Sequence, residues 1–192
     1  NGLALSDGNW HHLVVTYDGT NRKKSLYFDG SLKGEKTISG NLDVRAANST
    51  FEIGHTSVIS SRLAQIYTGG MDELMIFDYA WDADEVAAEF NRDAPAAVAS
   101  ESLLPTPVAH WTFDGENPLS AESGDAALEL SAASGEVAYE SGDAICGKAA
   151  RFSTDGGFLK LATFPSGVIP AGNSEFTVVV RYRPDTHGGA YN

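Results

Sequence analysis

Carboxylates dominate the chemistry this sequence can offer: 26 acidic residues stand against 13 basic ones, for a net charge of −13. Glycoside hydrolysis needs two of them facing a cleft, about 5 to 10 Å apart. The strand motif E-x-D-x-x-E, which would present such a pair, does not occur. A G-x-S-x-G elbow, a P-loop and a dinucleotide fingerprint are also missing, so the chain is expected not to be an enzyme. His11 and His12 look like a metal pair, yet neighbours on a strand point to opposite faces and cannot hold one ion together. His12 shares a face with Trp10 and Val14, the setting of a packed, hydrogen-bonded histidine. His55, His110 and His187 lack ligand-type spacing to one another. Cys146 is the single cysteine, has no recognisable base nearby, and reads as a small buried residue. Sugar rings stack their C–H faces on Trp and Tyr. Tyr67, Trp81 and Tyr191 occupy loop-like positions and are the candidate ligand contacts, whereas Trp10 and Trp111 sit in strand patterns and are expected in the core.

The acidic balance excludes one class of partner, because such a field repels a phosphate backbone; nucleic acid is not expected. An apolar share of 42% is enough for a sizeable core. No apolar run is long enough to span a membrane, and no membrane insertion is expected. The chain starts at Asn1 without an initiator Met or signal peptide and stops at Asn192, which suggests a piece of a longer polypeptide.

The elements that must position these residues are mostly strands. Residues 10–17 and 25–28 are β-branched and aromatic and each ends at an Asp-Gly turn signal, so they predict a hairpin with residues 20–24 as its tip. Further strands are expected at 51–54, 71–79, 108–113, 126–130, 136–140, 149–152, 158–161 and 176–182. One short helix is expected at 82–91, with Asp82 as cap, Glu85 completing a capping box, and Val86 and Phe90 on its apolar stripe. Residues 93–107 carry three Pro among Ala and Ser and read as a linker.

Three stretches resemble laminin-G-like jelly rolls of the concanavalin A-like lectin/glucanase superfamily. Asp7-Gly8-Asn9-Trp10-His11-His12 through Asp18-Gly19, followed by Leu26 to Gly30, is similar to that family's "dG.WHHvavtyDG…lYvDG". Gly69 to Phe77 is similar to its closing strand, "G.iDEvriyn". After the linker, Ala109 to Gly115 resembles the opening strand, Gly147 to Phe152 resembles "GkAl.Fdg", and Phe176 to Asp185 resembles "fTvs.WvkPd". The resemblance implies an all-β, antiparallel jelly-roll sandwich. Residues 1–92 look like the C-terminal half of such a domain and residues 108–192 like an N-terminal half, in reversed order. Either the chain holds the end of one module and the start of the next, or one sandwich forms from both halves. An isolated half would expose its inner apolar face and its sheet edges, which favours halves that complete each other.

In the resembled family the first and last strands meet near a calcium site, which makes Asp72, Glu73 and Asp114 the candidate metal ligands and Ca2+ the candidate cofactor. Hard cations take six to eight oxygens, which carboxylates and turn carbonyls can supply. On regular alternation Asp72 shares the face of Leu74 and Ile76 and points inward, where a carboxylate needs a partner. The resemblance also implies a non-catalytic, secreted or cell-surface module. Its expected partners are glycans or extracellular glycoproteins, and it would serve as an accessory to a secreted glycosidase or sialidase. The alternative is a structural or adhesin repeat that contacts other copies of itself or neighbouring modules.

Overall fold

The Asp18-Gly19 and Asp29-Gly30 signals shape the first three strands. β1 (His11–Asp18) pairs antiparallel with β2 (Lys23–Phe28), from Leu13 opposite Phe28 to Asp18 opposite Lys23. The Asp18 carboxylate closes the connection by accepting from the Asn21 backbone N–H at 2.9 Å. Asp29 and Gly30 both have positive φ, 49° and 70°, the requirement of a two-residue type I′ turn. That turn leads into β3 (Ser31–Thr37), which the sequence reading missed. Every residue of β3 is exposed, and its Lys and Glu residues are what an edge strand uses to discourage further pairing.

The computed structural model describes residues 7–40, 42, 51–56, 65–92, 104–124, 128–141, 144–154, 156–161 and 174–186. Beyond β3 come β4 (Glu52–Ile53), β5 (His55–Thr56), β6 (Gln65–Ile66), β7 (Gly69–Phe77) and the helix α1 (Ala83–Arg92). Then follow β8 (Ala109–Trp111), β9 (Ser123–Gly124), β10 (Leu130–Ser134), β11 (Val137–Glu140), β12 (Ala149–Phe152), β13 (Phe158–Leu161) and β14 (Phe176–Pro184). The predicted strand at 126–130 is displaced to β10, and Ala126 lies outside the described residues, as does most of the linker, residues 93–103.

Nine strands form one sheet, in the order β11-β12-β7-β14-β1-β2-β3, with β8 and β9 continuing from β7. β7 is its pivot. On one side it pairs along its length with β14, from Gly69 opposite Pro184 to Phe77 opposite Thr177. On the other side β12 and β8 lie end to end, Met71 facing Ala150 and Leu74 facing Trp111. β14 in turn pairs with β1, Val14 opposite Val179. Residues 11–77 and 109–184 therefore interleave in a single sheet.

A smaller sheet, β10-β13-β4, covers part of one face. Between the layers lie Leu74, Ile76, Trp111 and Phe152 from the large sheet and Ile53, Leu130, Leu159 and Leu161 from the small one. The opposite face carries Val14, Met75, Phe77 and Val179 and is closed by Trp81 and by Val86 of α1. Each of these fully buried aliphatic or aromatic side chains contributes about 1.5–3 kcal/mol. The helix begins as its sequence predicts. Asp82 accepts from the backbone N–H of Asp84 and of Glu85, both at 2.9 Å, and Glu85 accepts from the Asp82 N–H at 2.8 Å. No helix among the described residues is long and apolar enough to cross a membrane.

Candidate functional site

A bulge in β7 decides where its acidic residues go. Glu73 and Leu74 stand opposite the single Val180 of β14, and Glu73 takes a left-handed φ of 51°. The extra residue breaks the alternation. Asp72 consequently lies in register with Arg181 and not on the face of Leu74 and Ile76, as regular alternation had placed it. Arg181 donates to the Glu89 carbonyl of α1 at 3.0 Å and lies over the Phe90 ring, so this is the helix side of the sheet.

Asp72 is fully buried. Its Oδ1 accepts from the Glu73 backbone N–H at 2.9 Å, and its Oδ2 from those of Ile145 and Cys146 at 3.0 and 3.3 Å. Burial pushes its carboxyl up to about 7, against the pull of those three donors. Asp114 binds the same loop, accepting from the Lys148 backbone N–H. Gly147, with φ of 60°, allows that approach: a Cβ there would run into the Asp114 carboxylate. The segment from Ile145 to Lys148 is thus held by two carboxylates from different strands. Cys146, expected to be buried, is exposed on this loop.

Glu73 parts from them. It accepts from His110 Nε2 at 2.7 Å and lies 3.8 Å from an Arg92 guanidinium nitrogen. Burial opposes its charge, but His110, Arg92 and Arg181 outweigh that and hold it below the usual carboxylate range. The donor set therefore does not fit calcium as the family resemblance implies it. Both Asp72 oxygens already accept N–H bonds, the third carboxylate points to cations of the protein itself, and among the described residues no three Asp, Glu, His or Cys gather to hold a metal ion.

Of the aromatic candidates, Trp81 is 3% exposed and packs at 4.5 Å from the Phe77 ring, so it has no face to offer a ligand. Tyr67 is half-buried, and its hydroxyl donates to the Gly70 carbonyl at 2.7 Å. Burial raises its phenol. Tyr191 lies outside the described residues. Trp111 is buried as expected, with its indole N–H on the Leu128 carbonyl.

Trp10 is the residue that sequence reasoning assigned to the core and the structure does not. It precedes β1, is only half-buried, and rests its ring edge on Gly70, where a Cβ would come within 3.0 Å of the ring. The Arg183 guanidinium lies 5.5 Å from the Trp10 ring centroid. Gly70 faces Arg183 on one side and Arg151 on the other, and Arg151 pairs with Asp185 at 2.7 Å. The signal in the sequence was Gly8-Asn9 immediately before Trp10, which marks the turn that carries the ring off the strand. A flat apolar ring bordered by guanidinium and carboxylate groups can stack on a sugar and hydrogen-bond its hydroxyls.

The two histidines do point to opposite faces. His11 is clamped between Asp7 and Asp29, each at 2.9 Å. Burial opposes charge on its ring, but the two carboxylates raise it above its ordinary value, while the Asn9 backbone N–H and His11 hold Asp7 at about 2. His12 stacks on Phe90 at 5.7 Å, and its ring nitrogens have no hydrogen-bond partner among the described residues, contrary to the hydrogen-bonded ring expected. Burial, then the charges of Arg181 and Arg92, push its imidazole down to about 3.

Residues 1–87 match the family model described as the concanavalin A-like lectin/glucanases superfamily, of laminin-G-like type. Neither the curated proteins nor the solved structures include a match to the chain. The match ends inside α1, and the antiparallel two-layer architecture agrees with it. Residues 1–87 are a laminin-G-like segment of the concanavalin A-like lectin/glucanase superfamily, built into a β-sandwich.

Proposed function

We propose that the protein is a non-catalytic module that binds carbohydrate, on extracellular glycans or glycoproteins, with Trp10 as its stacking surface. The observation that carries this reading is the half-buried Trp10 ring seated on Gly70 under Arg183, on a fold whose superfamily includes lectins. The lack of a paired-carboxylate strand motif supports binding over hydrolysis. Secretion, and service beside a glycosidase or sialidase domain, belong to the same reading and rest on the family alone. The test is calorimetry or NMR titration against a panel of oligosaccharides. Trp10→Ala should weaken the best ligand by about fivefold or more, since one stacking aromatic contributes on the order of 1 kcal/mol or above. Silence across the panel, or an unaffected Trp10→Ala variant, would overturn the assignment.

A structural or adhesin module is the second reading, favoured by β14 lying between β1 and β7. Strands separated by the linker that complete one sheet within a chain can do so between chains. Light scattering that shows mass growing with concentration would favour it over glycan binding.

A further inference from the structure

We propose that His11 is a positioning residue for Trp10 that works as a proton-operated latch: the doubly protonated ring pins the 7–11 loop carrying the indole, and loss of one proton releases it. The geometry around the ring requires two donors. Asp29 Oδ2 lies 2.9 Å from Nδ1, and Asp7 Oδ1 lies 2.9 Å from Nε2. An ionised carboxylate only accepts and a neutral imidazole carries one N–H, so both contacts are hydrogen bonds only in the imidazolium. The contact joins the segment ahead of β1, β1 itself and the β2–β3 turn. Asp7 is the weaker anchor. Asp29 is fixed in any case: its Oδ1 accepts from the His12 backbone N–H at 2.9 Å, and its own N–H donates to the His12 carbonyl at 2.8 Å. Beyond its bonds to Asn9, Asp7 is tied to the described residues through His11 alone. Trp10 stands inside the loop that this tie closes, with Gly8 at φ of 82° turning it beside Thr186. When the ring loses a proton the Asp7 arm is the one that opens, and the indole is no longer held on Gly70.

The surroundings of the ring fix the direction of the effect. Phe28 of β2 lies 4.6 Å from it and carries no charge, and Tyr182 of β14 lies 5.8 Å away. Burial, then the charges of Asp29 and Asp7, push the Tyr182 phenol up to about 12, so it stays neutral. Tyr67, which meets Tyr182 edge to face, is also raised by burial. Asp7 and Asp29 are thus the charges that act on His11 among the described residues. Burial works against charge on the imidazole, but these two carboxylates outweigh it and keep the ring above its ordinary 6.5. The latch is closed below pH 6.5 and opens as the pH rises through the raised value. Use of the platform for a sugar rests on the glycan-binding reading above; the latch does not.

Acrylamide quenching of tryptophan fluorescence reads the latch in the full chain, because Trp81 and Trp111 are buried and Trp10 is half-buried. Between about pH 5.5 and about pH 9 the wild-type quenching constant should rise about twofold or more, in a one-proton step with its midpoint above 6.5. Trp10→Phe should abolish the step. Asp7→Ala, at an exposed position, should show the high constant at both ends of the range. Asp7→Asn should show the low constant at both, since an amide accepts from an N–H and donates to a bare ring nitrogen. Native circular dichroism shows that each variant folds. A wild-type constant that ignores pH, a midpoint below 6.5, or a step that survives in Trp10→Phe, Asp7→Ala or Asp7→Asn would overturn the latch. All of these are read without a sugar, so failure of the latch and failure of glycan binding are separate results.

Discussion

His12 couples the core to pH through a single ring. In the folded chain it holds its proton only near pH 3, whereas an exposed imidazole has an ordinary value of 6.5. The depressed value means that the unfolded state binds the extra proton between those limits, so stability is whole above pH 6.5 and falls as the pH drops toward 3. Asp72 acts in the other direction. Its value of about 7 against an ordinary 3.8 favours the folded state at low pH and is lost as pH rises through 7. The two effects oppose each other across the same window, so a wild-type profile alone hides both. His12→Leu, close in volume and without nitrogens to desolvate, isolates one of them. Relative to wild type it should gain about 2 kcal/mol more at pH 4.5 than at pH 8, read from urea unfolding at the two pH values. Equal differences at both would show that the ring is not kept neutral by its burial.

Calcium is a question of the same scale. The Asp72 carboxylate is met by the N–H groups of Glu73, Ile145 and Cys146, and that of Asp114 by the Lys148 N–H, so backbone donors stand where a cation would have to bind. Millimolar Ca2+ or EDTA should then move the melting temperature by less than about 2 °C, because a ligand of the folded state at 100 times its Kd would add about 2.7 kcal/mol. A larger rise with Ca2+ would return these carboxylates to metal binding. The residue types at 72, 73 and 114 were legible in the sequence; the parting of Glu73 from the other two was not. It follows from one left-handed residue, Glu73, at a position that β-strand alternation treats as ordinary.

Among the elements, those with a local signal were readable and those defined by their neighbours were not. α1 announced itself through Asp82, Glu85 and Val86, and its cap forms as spelled out. Asp82→Ala should cost about 1 kcal/mol, measured by chemical denaturation. β3 has no apolar alternation and all its residues are exposed, so its pairing follows from the I′ turn at Asp29-Gly30 and the strand beside it. The loop ahead of β12 combines both lessons. Gly147 looked like one of many turn glycines, yet its missing side chain leaves the room in which the Asp114 carboxylate reaches the Lys148 N–H. Gly147→Ala adds both left-handed strain and a collision, and should lower stability by about 1–3 kcal/mol. Tolerance of alanine there would mean that the loop is not fixed by Asp114.

At the level of the whole molecule the question is whether residues 1–92 can stand without the rest. The sheet order gives the answer physical content. β1 and β7 are not hydrogen-bonded to each other; β14 lies between them and pairs with both. Without it, the β1–β2–β3 ribbon and β7 would each present an open edge, and Val14, Met75, Phe77 and Val86 would lose the Val179 that packs among them. The reversed family motifs hinted at this mutual completion; only the strand register shows which pairs carry it. A protease site placed between Glu101 and Ser102 of the full chain tests the dependence directly. After cleavage the two pieces should migrate as one species on size exclusion and part only in denaturant, with midpoints that fall on dilution, because cutting the connection turns an intramolecular closure into a bimolecular one. Pieces that separate under native conditions and keep their β-sheet circular dichroism would show two self-sufficient units, and the interleaved sheet would then be no requirement for folding.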